Sequence, residues 1–136
     1  GVADRIDFQE SISGDSPDST FFNSIDIFLD STPVNGTMAL CQSLWMGVPV
    51  VTAKAGRRSS VIGASILTSA GEPDWIGEDV GDAVRIAVDL AGDMDSLAGK
   101  RESLREAVRA SALMDINGNS AKMYAALKSA LETAGN

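Results

Sequence analysis

One run of sequence, Asn35 to Thr52, constrains the fold of this chain more than any other feature. It reads NGTMALCQSLWMGVPVVT: an Asn-Gly turn, an apolar helix that ends at Gly47, and a buried strand that follows at once. A turn, a helix and a strand in this order form half of a βαβ crossover, the unit from which nucleotide-binding sheets are built. The run therefore predicts an α/β fold with a ligand site at one edge of a parallel sheet.

The turn that precedes this helix is the first candidate site. The first amides of a helix have no partner within the helix, and the helix dipole is positive there, so the position suits a phosphate. Gly36 permits a ligand to approach the backbone closely, and Thr37 can cap the helix or offer a hydroxyl. The alternative is that Asn35 and Gly36 only satisfy the geometry of a turn, and spacing alone slightly favours this second interpretation.

Strands and helices alternate along the chain, which predicts a parallel sheet covered by helices. The predicted strands are Arg5–Gln9, Ile25–Leu29 and Pro49–Thr52, with a short edge segment at Pro73–Ile76 and a loop at Glu10–Ser19. The predicted helices are a single turn at Thr20–Asn23, then Thr37–Met46, Ser60–Ser69, a helix capped by Asp79 or Asp82 that runs to Leu90, Met94–Ala110 and Asn119–Thr133. Apolar spacing places Val84, Ala87, Val88 and Ala91 on one helix face, and Met123, Leu127 and Leu131 on another.

The number of strands bounds the domain. A complete Rossmann-like half has about five or six strands, and only three convincing ones are present. We therefore interpret residues 1–136 as a single-domain fragment, a partial Rossmann-like three-layer fold whose earlier strands would precede Gly1. The opening glycine, in place of methionine, fits an excised piece of a longer chain or a remnant of a tag.

The composition argues against several classes of function. The 11 basic and 19 acidic side chains give a formal net charge of −8, which disfavours nucleic acid as a partner. The chain has no histidine, which removes the commonest general base and most zinc ligands, and we expect no metal and no cofactor. One cysteine, Cys41, permits no internal disulfide and fits a reducing, cytoplasmic compartment. No apolar run approaches the roughly 20 residues of a membrane span.

A second candidate loop, Ala53 to Ser60, follows the strand that ends at Thr52. Lys54, Arg57 and Arg58 make it the densest cationic cluster of an acidic chain. Solvated surface cations that moderate the net charge are the commoner explanation of such a trio. The functional alternative is that these cations bind a diphosphate, which arginine holds through paired hydrogen bonds.

The run from Asn35 to Thr52 resembles the signature of the C-terminal catalytic half of O-linked N-acetylglucosamine transferases and Spindly proteins, including bacterial relatives linked to TPR repeats. SIDIFLD at 24–30, VIGASILTSAG at 61–71 and the stretch 115–134 are similar to the flanking strand, helix and closing helix of that family. The resemblance implies a GT-B enzyme of two Rossmann-like halves, with this chain as the later part of the C-terminal, donor-binding half. It implies transfer of N-acetylglucosamine, or fucose, from a nucleotide diphosphate sugar such as a UDP-sugar to protein Ser or Thr. The catalytic base and the acceptor surface would lie outside these residues.

The resemblance also assigns ligand-binding positions. The family holds the pyrophosphate of the donor at the positions of Asn35, Gly36 and Thr37, and it binds the ribose with an acidic residue where this chain has Gln42. An amide can hydrogen-bond a diol but lacks the charge that strengthens such a bond.

Two further comparisons with the family pattern bear on the same site. Met38 and Ala39 stand where the family carries small hydroxyl residues. The family also carries an arginine just before its V-G-A-S helix motif, where this chain has Val61, and Arg57 and Arg58 lie slightly upstream.

These departures leave two other functions open. A degenerate, non-catalytic module for protein interaction is favoured by Met38, Ala39 and Gln42. A Rossmann-like nucleotide-binding domain of different chemistry is the weaker alternative, because the chain has no GxGxxG motif and no P-loop.

Overall fold

A computed structural model describes residues 1–8, 19–54, 56 and 61–134 of the chain. The strands are β1 (Phe28–Leu29), β2 (Val50–Ala53) and β3 (Ile76–Gly77). The helices are α1 (Ser19–Asn23), α2 (Thr37–Trp45), α3 (Ile62–Ala70), α4 (Val80–Ala91), α5 (Met94–Ala110) and α6 (Ile116–Ala134). Short 3-10 turns lie at Ala3–Arg5, Pro73–Trp75 and Ala112–Met114. Residues 10–18 of the predicted loop lie outside the described residues.

The strands form a parallel sheet in the order β1–β2–β3. The paired residues are Phe28 with Val50, Leu29 with Val51, Thr52 with Ile76 and Ala53 with Gly77. This pairing confirms the predicted parallel sheet, in which the strand before the Asn-Gly turn lies beside the strand after Gly47.

Strand β2 is the centre of the fold and is buried along its whole length. Because side chains alternate along a strand, Thr52 and Val51 face opposite sides of the sheet. Thr52 lies against Gly63 at the start of α3, and Val51 lines a cleft with residues of α4. Helices α3 and α4 therefore cover opposite faces, which gives the three layers of a Rossmann-like fold.

Helix α5 is hydrogen-bonded to the segment between α1 and β1. The Arg101 guanidinium donates to the carbonyl of Phe22 at 2.5 Å and to that of Ile25 at 2.7 Å. The turn between α2 and β2 lies close to the same helix. Gly47 has a φ of +77°, and a Cβ there would stand 2.6 Å from the Arg101 carbonyl oxygen. Glycine is needed at this position both for its backbone conformation and for space.

Two predictions about strands need correction. The strand predicted at Arg5–Gln9 is wrong over its described residues: Ala3–Arg5 forms a 3-10 turn, and residues 6–8 have no regular structure, whereas Gln9 lies outside the described residues. Ile6 and Phe8 are 54% and 90% exposed, so the alternation of apolar and polar residues has no sheet to pack against. The strand predicted at Ile25–Leu29 exists but is paired only at Phe28 and Leu29.

Two apolar helix faces are present but exposed. On α4, the face of Val84 and Val88 is 57% and 64% exposed, whereas Ile86 is the buried residue. On α6, Leu127 and Leu131 are 60% and 74% exposed. Periodicity located these faces correctly, but it does not reveal whether a partner element covers them. No helix within the described residues is long and apolar enough to cross a membrane.

Candidate functional site

The loop that follows β1 is built around the carboxylate of Asp30. Its Oδ1 accepts the Gly36 N–H at 2.9 Å. Its Oδ2 accepts Asn35 Nδ2 at 2.6 Å and Thr52 Oγ1 at 2.8 Å. Both carboxylate oxygens therefore bind donors that lie later in the chain, and together they fix the Asn-Gly turn against the end of β2.

Asn35 extends this network to a third element. Its Nδ2 also lies 3.4 Å from the Ser31 carbonyl, and its Oδ1 accepts the backbone N–H of Gly63 at 2.9 Å. The side chain is only 8% exposed. Asn35 was predicted to bind a pyrophosphate. The structure engages both ends of its amide within the protein, where it caps α3 from 28 residues away.

The helix starts differ in how their amides are satisfied. Asp79, Asp93 and Asp115 accept first-turn amides of α4, α5 and α6, and Asn35 does so for α3. The N-cap of α2 is Gly36, and no side-chain cap is present there. Among helices α2 to α6 of the described residues, α2 is therefore the one whose first-turn amides have no side-chain cap. Uncapped amides at a helix start can bind an anion.

The structure redistributes the roles predicted for this turn. The Gly36 N–H is already donated to Asp30, so it is not a free donor in this conformation. The amides that remain at the helix start are those of Thr37, Met38 and Ala39. Thr37 is exposed, and the Met38 side chain is 71% exposed. A backbone site here would lie at the carboxyl edge of the sheet, where open parallel sheets bind ligands.

Gln42 lies further along α2, about 7.5 Å of helix rise beyond Thr37. It is half-buried at an apolar cleft of about 560 Å³. The cleft is lined by Phe22, Cys41, Gln42, Trp45, Met46, Val108, Leu113 and Met114. Burial raises the pKa of the Cys41 thiol above its usual value, which agrees with a packing role and opposes a nucleophilic one.

The second candidate loop is described only in part. Lys54 Nζ lies 2.5 Å from Glu78 Oε1, and both side chains are exposed. Its backbone N–H donates to the Gly77 carbonyl, which ties the residue to the end of β3. Arg57 and Arg58 lie outside the described residues, so their approach to the Asn-Gly turn stays a prediction. Within the described residues, no three Asp, Glu or Cys side chains are arranged to hold a metal ion.

The sequence analysis did not identify the central role of Asp30. The signal was its place directly after a buried strand and five residues before Asn35. The contributions of Thr52 and Gly63 carried no comparable signal, because their contacts join segments far apart in the chain.

A parallel sheet in three layers, with an open helix start at its carboxyl edge, defines a Rossmann-like domain. The family model for glycosyl transferase family 41 matches residues 22–123. The chain therefore belongs to glycosyl transferase family 41, which confirms the resemblance seen in the sequence.

Three relatives illustrate the similarity. The SPINDLY protein of Eustoma exaltatum subsp. russellianum, described as a probable UDP-N-acetylglucosamine–peptide N-acetylglucosaminyltransferase, is 37% identical over 69% of this chain and 10% of its own length. The SPINDLY protein of Hordeum vulgare, described in the same words, is 34% identical over 82% of this chain and 12% of its own length. The UDP-N-acetylglucosamine–peptide N-acetylglucosaminyltransferase of Caenorhabditis elegans is 33% identical over 67% of this chain and 8% of its own length.

A solved structure shows the same architecture. A mutant O-GlcNAc transferase of Thermobaculum terrenum superposes with a TM-score of 0.74 and 31% identity, over 82% of this chain and 22% of that one. The fold is that of the C-terminal region of a GT-B glycosyltransferase, as predicted. The chain spans roughly a tenth of the length of the curated relatives.

Proposed function

We propose that this chain is the donor-binding part of a glycosyltransferase that moves N-acetylglucosamine, or a related sugar, from a UDP-sugar to protein Ser or Thr. The observation that carries the proposal is the uncapped start of α2 at the carboxyl edge of the sheet, in a chain of glycosyl transferase family 41. The names of the relatives, which specify a UDP-sugar and a peptide, support the choice of donor and acceptor.

In this proposal the first amides of α2 hold the diphosphate and stabilise the charge that develops on it as the sugar departs. Donors fixed before the reaction need no reorganisation at that moment, and the rigid Asp30 network provides such fixation. Lys54, Arg57 and Arg58 supply cations to the same group. Donor binding requires neither a metal nor a cofactor, and the catalytic base comes from another part of the enzyme.

Gln42 is assigned to the ribose in this proposal. Replacing a carboxylate by an amide removes a charge-assisted hydrogen bond, which costs roughly 1.5–3 kcal/mol, or about a tenfold to hundredfold loss of affinity. We therefore expect the full-length protein to bind a UDP-sugar measurably but more weakly than a form with an acidic residue at this position.

Calorimetric titration of the full-length protein with UDP-N-acetylglucosamine tests the assignment. Gln42→Glu should tighten binding, whereas Asn117→Asp, which adds the same charge at an exposed position of α6, should leave it unchanged. Gly36→Val should abolish binding by obstructing the helix start. A Cβ at residue 36 meets no atom closer than 3.8 Å, so Gly36→Ala serves as the control for folding.

The same titration also tests the second candidate function, that of a non-catalytic interaction module. The exposed Met38 side chain at the helix start is the observation that favours such a module, because hydrophobic surface there suits a protein partner. If the parent gives no heat with any nucleotide sugar and Gln42→Glu restores none, the glycosyltransferase proposal fails.

A further inference from the structure

We propose that Asp30 is a positioning residue for the nucleotide-sugar donor: it holds the open start of α2 at a fixed distance and angle from β2 and α3. The inference rests on the proposed function, since it concerns the orientation of the amides that would bind the diphosphate. It assigns to Asp30 no contact with the donor itself.

The geometry separates this role from that of a ligand. Both Asp30 oxygens already accept hydrogen bonds, from Gly36 on one side and from Asn35 and Thr52 on the other. A carboxylate so close to a diphosphate would also repel it. A negative charge here is therefore unfavourable for anion binding by itself, and its contribution to a donor site must come through the groups it holds in place.

The network joins the three elements that meet at the carboxyl edge. Asp30 connects the Asn-Gly turn with Thr52 at the end of β2, and Asn35 passes the connection on to the Gly63 amide of α3. The bonds run between residues 5, 6, 22 and 28 positions apart in the chain. Because the Gly36 N–H is the last donor before the first turn of α2, the network sets the direction in which the following free amides point.

The donor and acceptor pattern allows a specific test. In Asp30→Asn, the new side-chain oxygen can keep the Gly36 N–H, but the new NH₂ faces the NH₂ of Asn35, so two donors oppose each other. In the double variant Asp30→Asn with Asn35→Asp, the NH₂ at residue 30 donates to the carboxylate at residue 35. That carboxylate still accepts the Gly63 N–H, and the net charge is that of the parent.

The experiment measures donor affinity by calorimetric titration of the full-length protein with UDP-N-acetylglucosamine. Asp30→Asn should raise the Kd at least tenfold, and the exchanged pair should return it to within about threefold of the parent value. Asp93→Ala is the control for general destabilisation, since it removes the cap of α5 and touches no part of the network. It should lower the Tm but leave the Kd unchanged.

Three outcomes are decisive. A parent that binds donor, together with an Asp30→Asn variant of equal affinity, overturns the positioning role and leaves the proposed function intact. An Asp30→Asn variant that is weakened but not rescued by the exchange also overturns it, because then the carboxylate at residue 30 matters for another reason. A parent that binds no nucleotide sugar overturns the proposed function itself. Amide hydrogen exchange tests whether the double variant has rebuilt the network. The Gly36 and Gly63 amides should be protected from solvent in both the parent and the double variant.

Discussion

Gly63→Ala is the substitution whose effect the structure defines most sharply. Gly63 lies in the first turn of α3 and donates its N–H to Asn35. A Cβ at this position would stand 2.5 Å from Asp30 Oδ2, 2.6 Å from Thr52 Oγ1 and 3.2 Å from Thr52 Cβ. Ordinary contacts begin near 3.4 Å. Both oxygens would therefore have to retreat by almost 1 Å, and they are already hydrogen-bonded to each other at 2.8 Å.

The magnitude follows from three terms. Overpacking a rigid site costs about 1–3 kcal/mol, and weakening a hydrogen bond to a carboxylate costs roughly 1.5–3 kcal/mol. Alanine returns up to about 1 kcal/mol through its higher helix propensity. We expect the free energy of unfolding to fall by about 2–4 kcal/mol, with a parallel loss of donor affinity because the start of α2 is displaced.

Gly99→Ala is the matched control. Gly99 lies within α5, and a Cβ there meets no atom within 4 Å. The same substitution should therefore stabilise the protein by up to about 1 kcal/mol. Urea denaturation of the parent and the two variants, followed by circular dichroism, should give shifts of opposite sign. Equal stability of the Gly63→Ala variant and the parent would refute the argument, because the network would then have room to yield.

The remaining predictions concern a turn, a carboxylate and the thiol. Gly47→Ala should cost about 2–4 kcal/mol in urea denaturation, whereas Gly71→Ala should cost only about 1 kcal/mol: both glycines have positive φ, but only the first Cβ meets a backbone carbonyl. A hydrogen bond from the Glu78 amide, and to a smaller extent Arg85, lower the pKa of the Asp82 carboxyl from its ordinary value of 3.8. The contribution of this carboxylate to the free energy of unfolding is therefore complete above pH 3.8 and is lost as the pH falls through the lower pKa of the folded state. The difference in Tm between the parent and Asp82→Asn should therefore be present at pH 7 and vanish on strong acidification. Burial raises the pKa of the Cys41 thiol, so iodoacetamide at pH 8 should label the folded protein more slowly than the urea-unfolded protein.

Local patterns predicted the order of elements well. The helix after the Asn-Gly turn and the helix Met94–Ala110 begin at the predicted residues, because the turn signal and the apolar spacing that mark them are local in the sequence. Strand length was less predictable. Only Phe28 and Leu29 of the predicted strand pair with β2. The extent of this pairing depends on the register between the two strands, which no local sequence signal specifies.

The candidate site was predictable only in its location. The Asn-Gly turn marks the start of α2, and that position is where the structure leaves amides uncapped. The roles of the individual residues depend on contacts across the sheet. Asn35 reads as a ligand or as a turn residue from sequence, but Gly63, 28 positions away, decides that its carbonyl oxygen caps α3.

The pattern of caps also explains how a chain of net charge −8 can present an anion site. Aspartates at the starts of α4, α5 and α6 bind the first-turn amides and add negative charge there, which closes those helix ends to anions. At α2 the nearby carboxylate, Asp30, binds the amide before the helix and not those within its first turn. Anion recognition at a helix start depends on short-range hydrogen bonds from fixed amides and on the helix dipole, whose effect is confined to the first turn. It does not depend on the electrostatic field of the whole molecule. The acidic surface and the proposed diphosphate site are therefore compatible. The Asp30 carboxylate accepts hydrogen bonds from donors of the protein itself, and the amides of Thr37, Met38 and Ala39 remain for the ligand.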